Sequence, residues 1–479
     1  MNCNVLPTPK TVVLKNGFFE TQRKINTDNN EWLIHLSAFC EGFKKIKNAP
    51  VLIADGGIMI KKDTTLGRGE YIIDIESSAV VWAADSEGVC SALATLLQLM
   101  RVSKKGFGTE KIYIKDAPDK KYRGLMIDLA RCPHTKEQIL KYMDVCFLAK
   151  LNYIHLHFID DQAYTLPSRA FPKVNEKCRY YSEEDIKEIC RYATMRGITI
   201  VPEFEAPGHA KFLIKSYPEI FANIADKDSA TITNEQGEII NADNILCVGT
   251  SKAMDGIKIL LKEIAELFPD SPYIHIGGDE ANIGVWNSCE HCKKYMQENA
   301  IENERELYCE FTSRIANAVL ELGRTPVVWE GFPKEYADII PRETIVIAWE
   351  SLYHLANDLI DEGFKVINAS WQPLYIVPYR DRRWGPNEIT DWNVYNWQNW
   401  WKKSKAYNNP INVPPTEQVI GAQLCAWEQT FEQEINFIME NSVALAERTW
   451  NEKTVTDKET FNKRHFIMMK LIASLISDL

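Results

Sequence analysis

The stretch "YIHIGGDEANIGVW", Tyr273 to Trp286, holds the residue types best suited to catalysis in this chain. An apolar run ends in Gly277 and Gly278 and then in two neighbouring carboxylates, Asp279 and Glu280. Successive side chains of a strand point to opposite faces, so these acids can share a pocket only where the strand ends or becomes irregular. The glycines permit that irregularity and let a ligand approach the backbone. Read alone, an Asp-Glu pair does no more than open the next helix, where acids favour the dipole.

Indoles weigh against that simpler reading. Trp329, Trp349 and Trp427 each close an apolar run, and Trp286 follows the acid pair. Converging indoles make an apolar cage with polar groups at its rim, which fits a sugar or an acylated sugar. The chain has no Walker loop, and no G-x-G-x-x-G follows an apolar run, so no cofactor is expected. Carboxylates among indoles point to cleavage of a glycosidic bond. One acid protonates the leaving oxygen and a second carboxylate is nucleophile or base, roles that spacing alone does not assign.

Such residues need a frame. From Tyr122 onward, short apolar runs ("YRGLMIDLA", "NYIHLHF", "ITIVPEFE", "YIHIGGDE", "TPVVWE", "TIVIAWE", "KVINAS", "QVIGAQLCAW") alternate with amphipathic segments. "TKEQILKYMDVCFLAK", "SEEDIKEICRYATMR" and "SKAMDGIKILLKEIAELF" repeat apolar residues at helical spacing behind a Ser or Thr cap. About eight β/α units suit a parallel (β/α)8 barrel, with a doubly wound sheet as the structural alternative. A barrel gathers its chemistry at the C-terminal ends of most strands. Here those ends carry Asp128 and Arg131, His157 with Asp160 and Asp161, Glu203 and Glu205, Asp279 with Glu280, and the three Trp-Glu pairs beginning at 329, 349 and 427. The barrel is therefore the expected fold for residues 119–479. Residues 1–118 alternate strand-like pieces ("TVVLK", "VLIA", "YIIDI", "AVVWAA") with an apolar helix near "GVCSALATLLQLM" and read as a small, non-catalytic α+β domain.

Composition narrows the partners. The 479 residues carry a formal net charge of −11, with no basic tract beyond the local "RDRR" of Arg380 to Arg383, so neither nucleic acid nor an anionic membrane is expected. "MNCNVLPTPK" lacks the order of a secretory signal, and no apolar run approaches the ~20 residues that span a bilayer; a cytoplasmic location is the expectation. Most of the twelve Cys sit in apolar periodic segments and read as core thiols. Cys289 and Cys292 have C-x-x-C spacing, but structural zinc needs about four ligands and no second such pair or H-x-x-x-H occurs, so they read as two thiols near a helix start.

Together, "RGLMIDLAR", "IHLHFIDDQ", "VPEFEAPGHA", "HIGGDE" and, near the end, "AERTW" resemble the signatures of glycoside hydrolase family 20, the β-N-acetylhexosaminidases. The resemblance runs from about Lys121 to Asn451, behind an N-terminal segment similar to the small domain that precedes many such barrels. It implies a retaining, exo-acting hydrolase in which the substrate's own 2-acetamido oxygen attacks the anomeric carbon and forms an oxazolinium-type intermediate, an exception to the two-carboxylate scheme. The enzyme then supplies no nucleophile. Glu280 is implied as general acid, its pKa raised to about 6 by burial and the Asp279 charge, and Asp279 as the ionised group that holds the amide N–H. Asp160 and His209 match the pair that tunes the acid. Arg131 matches the grip on the ring hydroxyls, while Trp329, Trp349 and Trp427 match the cage around the acetamido methyl. The same comparison puts His157 in the sugar site, Trp286 near the leaving group and Tyr375 on the acetamido oxygen. Arg123 and Asp128 read as a buried ion pair. Two positions depart from the pattern: Glu205 stands where the family has Asp, and the usual W-G-E reads Trp427, Glu428, Gln429, which displaces the acid for the outer hydroxyls and leaves gluco against galacto preference open.

Two rival readings remain. His155 and His157 share a strand face as in metal-dependent barrel hydrolases, but the four runs after "HIGGDE" offer no further His. A catalytically silent sugar binder would keep the indoles and lose Glu280, which is present. In "WNVYNWQNWW", Trp397, Trp400 and Trp401 have i, i+3, i+4 spacing and read as a core-facing helical stripe rather than a sugar platform.

Overall fold

The alternation in the sequence becomes a closed barrel. The structure, a computed structural model, describes residues 3–223, 231–233, 239–241, 243–379 and 382–477. Arg380 and Asp381 of the basic tract lie outside the described residues. Each of the eight apolar runs forms a barrel strand: β1 (Tyr122–Asp128), β2 (Tyr153–His157), β3 (Thr199–Glu203), β4 (Tyr273–His275), β5 (Thr325–Trp329), β6 (Ile345–Ala348), β7 (Lys365–Asn368) and β8 (Val419–Ala426). All neighbours are parallel, and β8 pairs with both β7 and β1, which leaves no sheet edge.

Helices between the strands start where the sequence places polar caps. Thr135 with Gln138, and Ser182 with Asp185, form reciprocal capping boxes, and Thr250 accepts from the Ala253 amide. Each cap contributes about 1 kcal/mol, enough to fix a helix start. Inside the barrel, Met126, Val201, Val327, Ile345, Ile347 and Cys425 form a packed core above the stacked rings of Tyr122 and Tyr153, 4.2 Å apart.

Register then sets the chemistry. His157 lies level with Asp128 on one side and Glu203 on the other, and Glu203 lies level with His275. Four polar side chains therefore share the top of the barrel.

Before the barrel comes an eight-stranded mixed sheet, its longest strands Thr11–Thr21 and Gly106–Asp116, packed on helices Leu33–Lys47 and Ser86–Leu99. It is locked to the barrel by buried polar contacts. Arg123 donates to Glu87 Oε1 at 2.9 Å and to the Lys120 and Lys150 carbonyls, and Trp450 Nε1 donates to Asp116 at 2.8 Å. The expected Arg123–Asp128 pair is thereby corrected. The two residues are five apart on one strand, so they face opposite sides; Asp128 instead accepts from Arg131 Nη1 at 3.3 Å. A cavity of about 540 Å³ between the two units, lined by Glu87, Asn152 and Thr199, opens at the N-terminal end of the strands, the end of a barrel that serves stability.

Candidate active site

A pocket of about 350 Å³ opens at the C-terminal end of the strands, with Arg131, Asp279, Glu280, Trp329, Trp349, Tyr375, Trp427 and Glu428 in its lining. The backbone makes this convergence possible. Gly277 and Gly278 have φ of 71° and 99°, and Glu280 itself has φ of 46°. A Cβ on Gly277 would overlap the Glu205 carboxylate, and one on Gly278 would press on Val328. Strand alternation is broken there, so both acids reach one pocket. His209 and Glu428 also adopt positive φ, 49° and 58°. Such conformations cost of order 1–3 kcal/mol each and persist at sites that need a side chain aimed in one direction.

Charges form a chain behind the pocket. Glu203, wholly buried, accepts from His157 Nδ1 at 2.5 Å, from His155 Nε2 at 3.1 Å and from Trp329 Nε1 at 2.7 Å, and lies 2.9 Å from His275 Nδ1. Burial alone would lower the His157 pKa, but Glu203 and Asp160 outweigh it and push it up to about 10. His157 Nε2 donates to Asp160 Oδ2 at 3.0 Å, and Arg131 Nη2 meets the same oxygen at 2.6 Å. Asp160 Oδ1 faces His209 Nδ1 at 3.3 Å, and His209 Nε2 faces Glu280 Oε2 at 3.4 Å and Asp279 Oδ2 at 4.0 Å. Despite burial, the carboxylates on both sides hold His209 well above the ordinary imidazole value.

Both acids depart from expectation. His209 holds the Glu280 carboxyl below its usual value, whereas burial, helped by the Glu280 charge, raises Asp279 to about 6. The reason is position. Glu280 is 56 % exposed and beside an imidazolium, while Asp279 is 13 % exposed, with Oδ1 buried and without a hydrogen-bond partner.

Arg131 lies over the Trp427 ring at 5.1 Å, and Trp427 packs against Trp329 at 5.9 Å. Tyr375, Trp371 and Trp349 form a three-ring cluster, with Tyr375 stacked on Trp371 at 4.8 Å and on Trp349 at 6.1 Å.

The comparisons agree with this geometry. Residues 121–453 match the model for the glycosyl hydrolase family 20 catalytic domain, and residues 2–117 match that for domain 2 of the same family. The chain belongs to glycoside hydrolase family 20. As a member of this β-N-acetylhexosaminidase family it is a glycoside hydrolase. It is 28 % identical over 399 residues to the beta-hexosaminidase of Vibrio furnissii, covering 78 % of this chain and 64 % of that protein. It is 28 % identical over 408 residues to beta-hexosaminidase subunit beta of Mus musculus, covering 81 % and 70 %. In fold it matches the family 20 exo-β-N-acetylglucosaminidase of Vibrio harveyi, solved with N-acetylglucosamine, with a TM-score of 0.80 at 24 % identity over 98 % of this chain and 77 % of that one.

Two sequence assignments fail against the family 20 pocket in this chain: His157 is buried behind the lining, its ring nitrogens held by Glu203 and Asp160, and so supports the site rather than touching the sugar. Trp286 is wholly buried, donates Nε1 to the Leu246 carbonyl at 2.9 Å and packs on Tyr308, outside the pocket lining. It lies on the short helix Ile283–Asn287, which turns it into the core. Glu205, whose role the sequence leaves open, accepts from the Gly278 amide at 3.1 Å, and burial beside Asp279 and Glu203 raises its pKa well above the usual carboxyl value. It props the turn that presents the acids.

Other pocket residues were not anticipated. Trp371, Trp400, Trp401, Tyr379 and Arg382 line it, beside Glu350, which the sequence places at a strand end. The helical stripe predicted for 397–401 does not form: Trp397 lies on a short strand with its Nε1 on the Ala348 carbonyl, while Trp400 and Trp401 turn to the pocket. Asn393 and Asn399 accept from the amides two residues on, and these Asx turns compete with a helix; that signal was present in the sequence. Glu350 is raised by burial, and by Glu330 next, to about 9, so it presents a neutral carboxyl to the pocket.

The chain from Asp160 through His209 to Glu280 makes a prediction. Replacing His209 by Asn removes the imidazolium that faces Asp160 at 3.3 Å and Glu280 at 3.4 Å, a charged contact worth about 1.5–3 kcal/mol once drawn together around substrate, so kcat/KM should fall ~10–150-fold. In the native protein the shared proton is retained until pH exceeds the raised His209 value; in the variant Glu280 alone must hold it. The alkaline limb of the kcat/KM profile therefore moves to lower pH. An unmoved limb would remove His209 from the proton chain.

Proposed function

We propose that this chain is a retaining exo-β-N-acetylhexosaminidase that cleaves terminal, non-reducing β-linked 2-acetamido sugars by substrate-assisted catalysis. The observation that carries this reading is the buried, unpartnered Asp279 Oδ1 beside the proton-bearing His209–Glu280 pair, in a pocket walled by indoles. A buried carboxylate oxygen wants a donor, and the acetamide N–H supplies one. Among the described residues of the lining, the two further carboxyls are poor nucleophiles: burial raises Glu350 to about 9, and Glu428, 47 % exposed at the rim, faces Arg131 at 4.0 Å. The acetamido carbonyl fills that role.

In this mechanism Arg131 grips ring hydroxyls, Trp329, Trp349 and Trp427 enclose the acetamido methyl, and the Tyr375 phenol orients its oxygen. Asp279 holds the N–H and offsets the positive charge of the cyclising intermediate. Substrate displaces water from the exposed Glu280, which weakens its carboxylate form and draws the proton from His209 toward the leaving oxygen. Glu280 then accepts a proton from the water that opens the intermediate. The metallohydrolase alternative finds no free donor in the expected pair: His155 is held by Glu203 and Gln423, and His157 by Glu203 and Asp160. The abundance of unbridged thiols supports a cytoplasmic location, where they stay reduced.

A panel of aryl β-glycosides with and without the 2-acetamido group, in gluco and galacto forms, tests the reading. Only the acetamido substrates should turn over at appreciable rate. Comparable hydrolysis of the 2-hydroxy glucoside would defeat substrate assistance.

A further inference from the structure

The C-x-x-C pair beyond the acids is joined in space by a third thiol. Cys247 Sγ lies 3.8 Å from Cys289 Sγ and 3.9 Å from Cys292 Sγ, all three residues are buried, and His291 Nδ1 lies 4.0 Å from Cys247 Sγ. These spacings are far beyond a disulfide bond of about 2 Å. They match the edge of a metal tetrahedron: zinc–thiolate bonds of about 2.3 Å place their sulfurs about 3.8 Å apart. The sequence hid this set because Cys247 stands 42 residues before Cys289 and in no ligand motif.

We propose that Cys247, Cys289, Cys292 and His291 Nδ1 bind one structural Zn²⁺, with three thiolates and one imidazole as its ligands. The local backbone is built for close approach. Cys289 caps the helix Glu290–Glu298 and Cys292 lies in its first turn, where the helix dipole favours thiolate. Gly249 packs against the same turn so tightly that a Cβ would come within 2.5 Å of the His291 carbonyl oxygen and 2.6 Å of the Cys292 amide nitrogen. Three soft sulfurs within 4.8 Å of one another, completed by the His291 imidazole as it turns in from beside Cys247, would select zinc over magnesium or calcium. Each thiol gives up its proton to solvent as the cation binds, so no redox step is involved.

The ion would tie the segment packed on His209 to the segment that follows the acid pair. The Leu246 amide donates to the Pro207 carbonyl at 2.9 Å and the Ala210 amide to the Asn244 carbonyl at 3.0 Å, which flank His209. Trp286, a few residues beyond Glu280, donates to the Leu246 carbonyl. Zinc between Cys247 and the 289–292 turn therefore braces the His209 loop against the Glu280 loop, and its ligands are positioning residues only.

The test is metal content. Reduced full-length protein, reconstituted anaerobically with zinc and dialysed, should hold one equivalent by elemental analysis, and p-hydroxymercuribenzoate should release it. Cobalt loaded in its place should give the intense absorption of tetrahedral Co²⁺–thiolate. His291→Ala, at a partly exposed position that tolerates change, should lower zinc affinity at least tenfold in competition with a chromogenic chelator. Cys292→Ser should lose the metal and lower Tm, and added zinc should no longer raise Tm as it does in the reduced native protein. Failure of the reduced native protein to take up zinc, with its thiols shown free in denaturant, overturns the site. Unchanged affinity in His291→Ala overturns the fourth ligand.

Discussion

Glu280→Gln is expected to lower kcat/KM on a β-linked N-acetylglucosaminide with an alkyl or sugar leaving group by about 10²–10⁴-fold, the usual contribution of a positioned acid. The amide keeps the shape of the side chain and cannot give up a proton. Because the Glu280 side chain is 56 % exposed and at the pocket mouth, the variant should fold with a nearly native Tm, which separates loss of chemistry from loss of structure. The loss should depend on the leaving group. A nitrophenolate departs without protonation, so cyclisation survives on that substrate, while opening of the intermediate still lacks its base. A burst of phenolate followed by slow turnover would mark that second role. Retention of most activity on the unactivated substrate would sink the assignment of Glu280.

The charges around these acids explain why their locations were legible in the sequence and their protonation states were not. All eight strands could be read because apolar runs, caps and breakers are local signals. "HIGGDE" likewise announced a broken alternation, and both glycines take the positive φ that it needs. The ionisation of Asp279 and Glu280 depends instead on which one faces His209 and which one is buried, and that is set by loops from different strands. The same holds for Trp286. An indole close to the acids in sequence is turned away by a short helix, while Trp371, Trp400 and Trp401 arrive from distant segments. Helical spacing misread Trp400 because its neighbouring asparagines form turns. Cys247 joins Cys289 only through tertiary packing.

Asp279→Asn is expected to cost about 10²–10³-fold in kcat, the scale of removing one preorganised electrostatic group at a developing charge. Its carbonyl can still accept from the acetamide N–H, so substrate binding should change less than turnover. What is lost is the negative charge opposite the cyclising intermediate. A pH profile distinguishes this from simple distortion. Burial raises the Asp279 pKa to about 6, so the group becomes neutral as pH falls through that value, and native kcat/KM should drop below about pH 6 as the competent carboxylate is protonated. Above pH 6 the same group is ionised and that limb is level. In Asp279→Asn no proton is taken up at this position, so the residual activity should run flat through the same range. An acidic limb that persists unchanged in the variant would show that another group sets it, and Asp279 would then lose its role as the charge that steadies the substrate's own nucleophile.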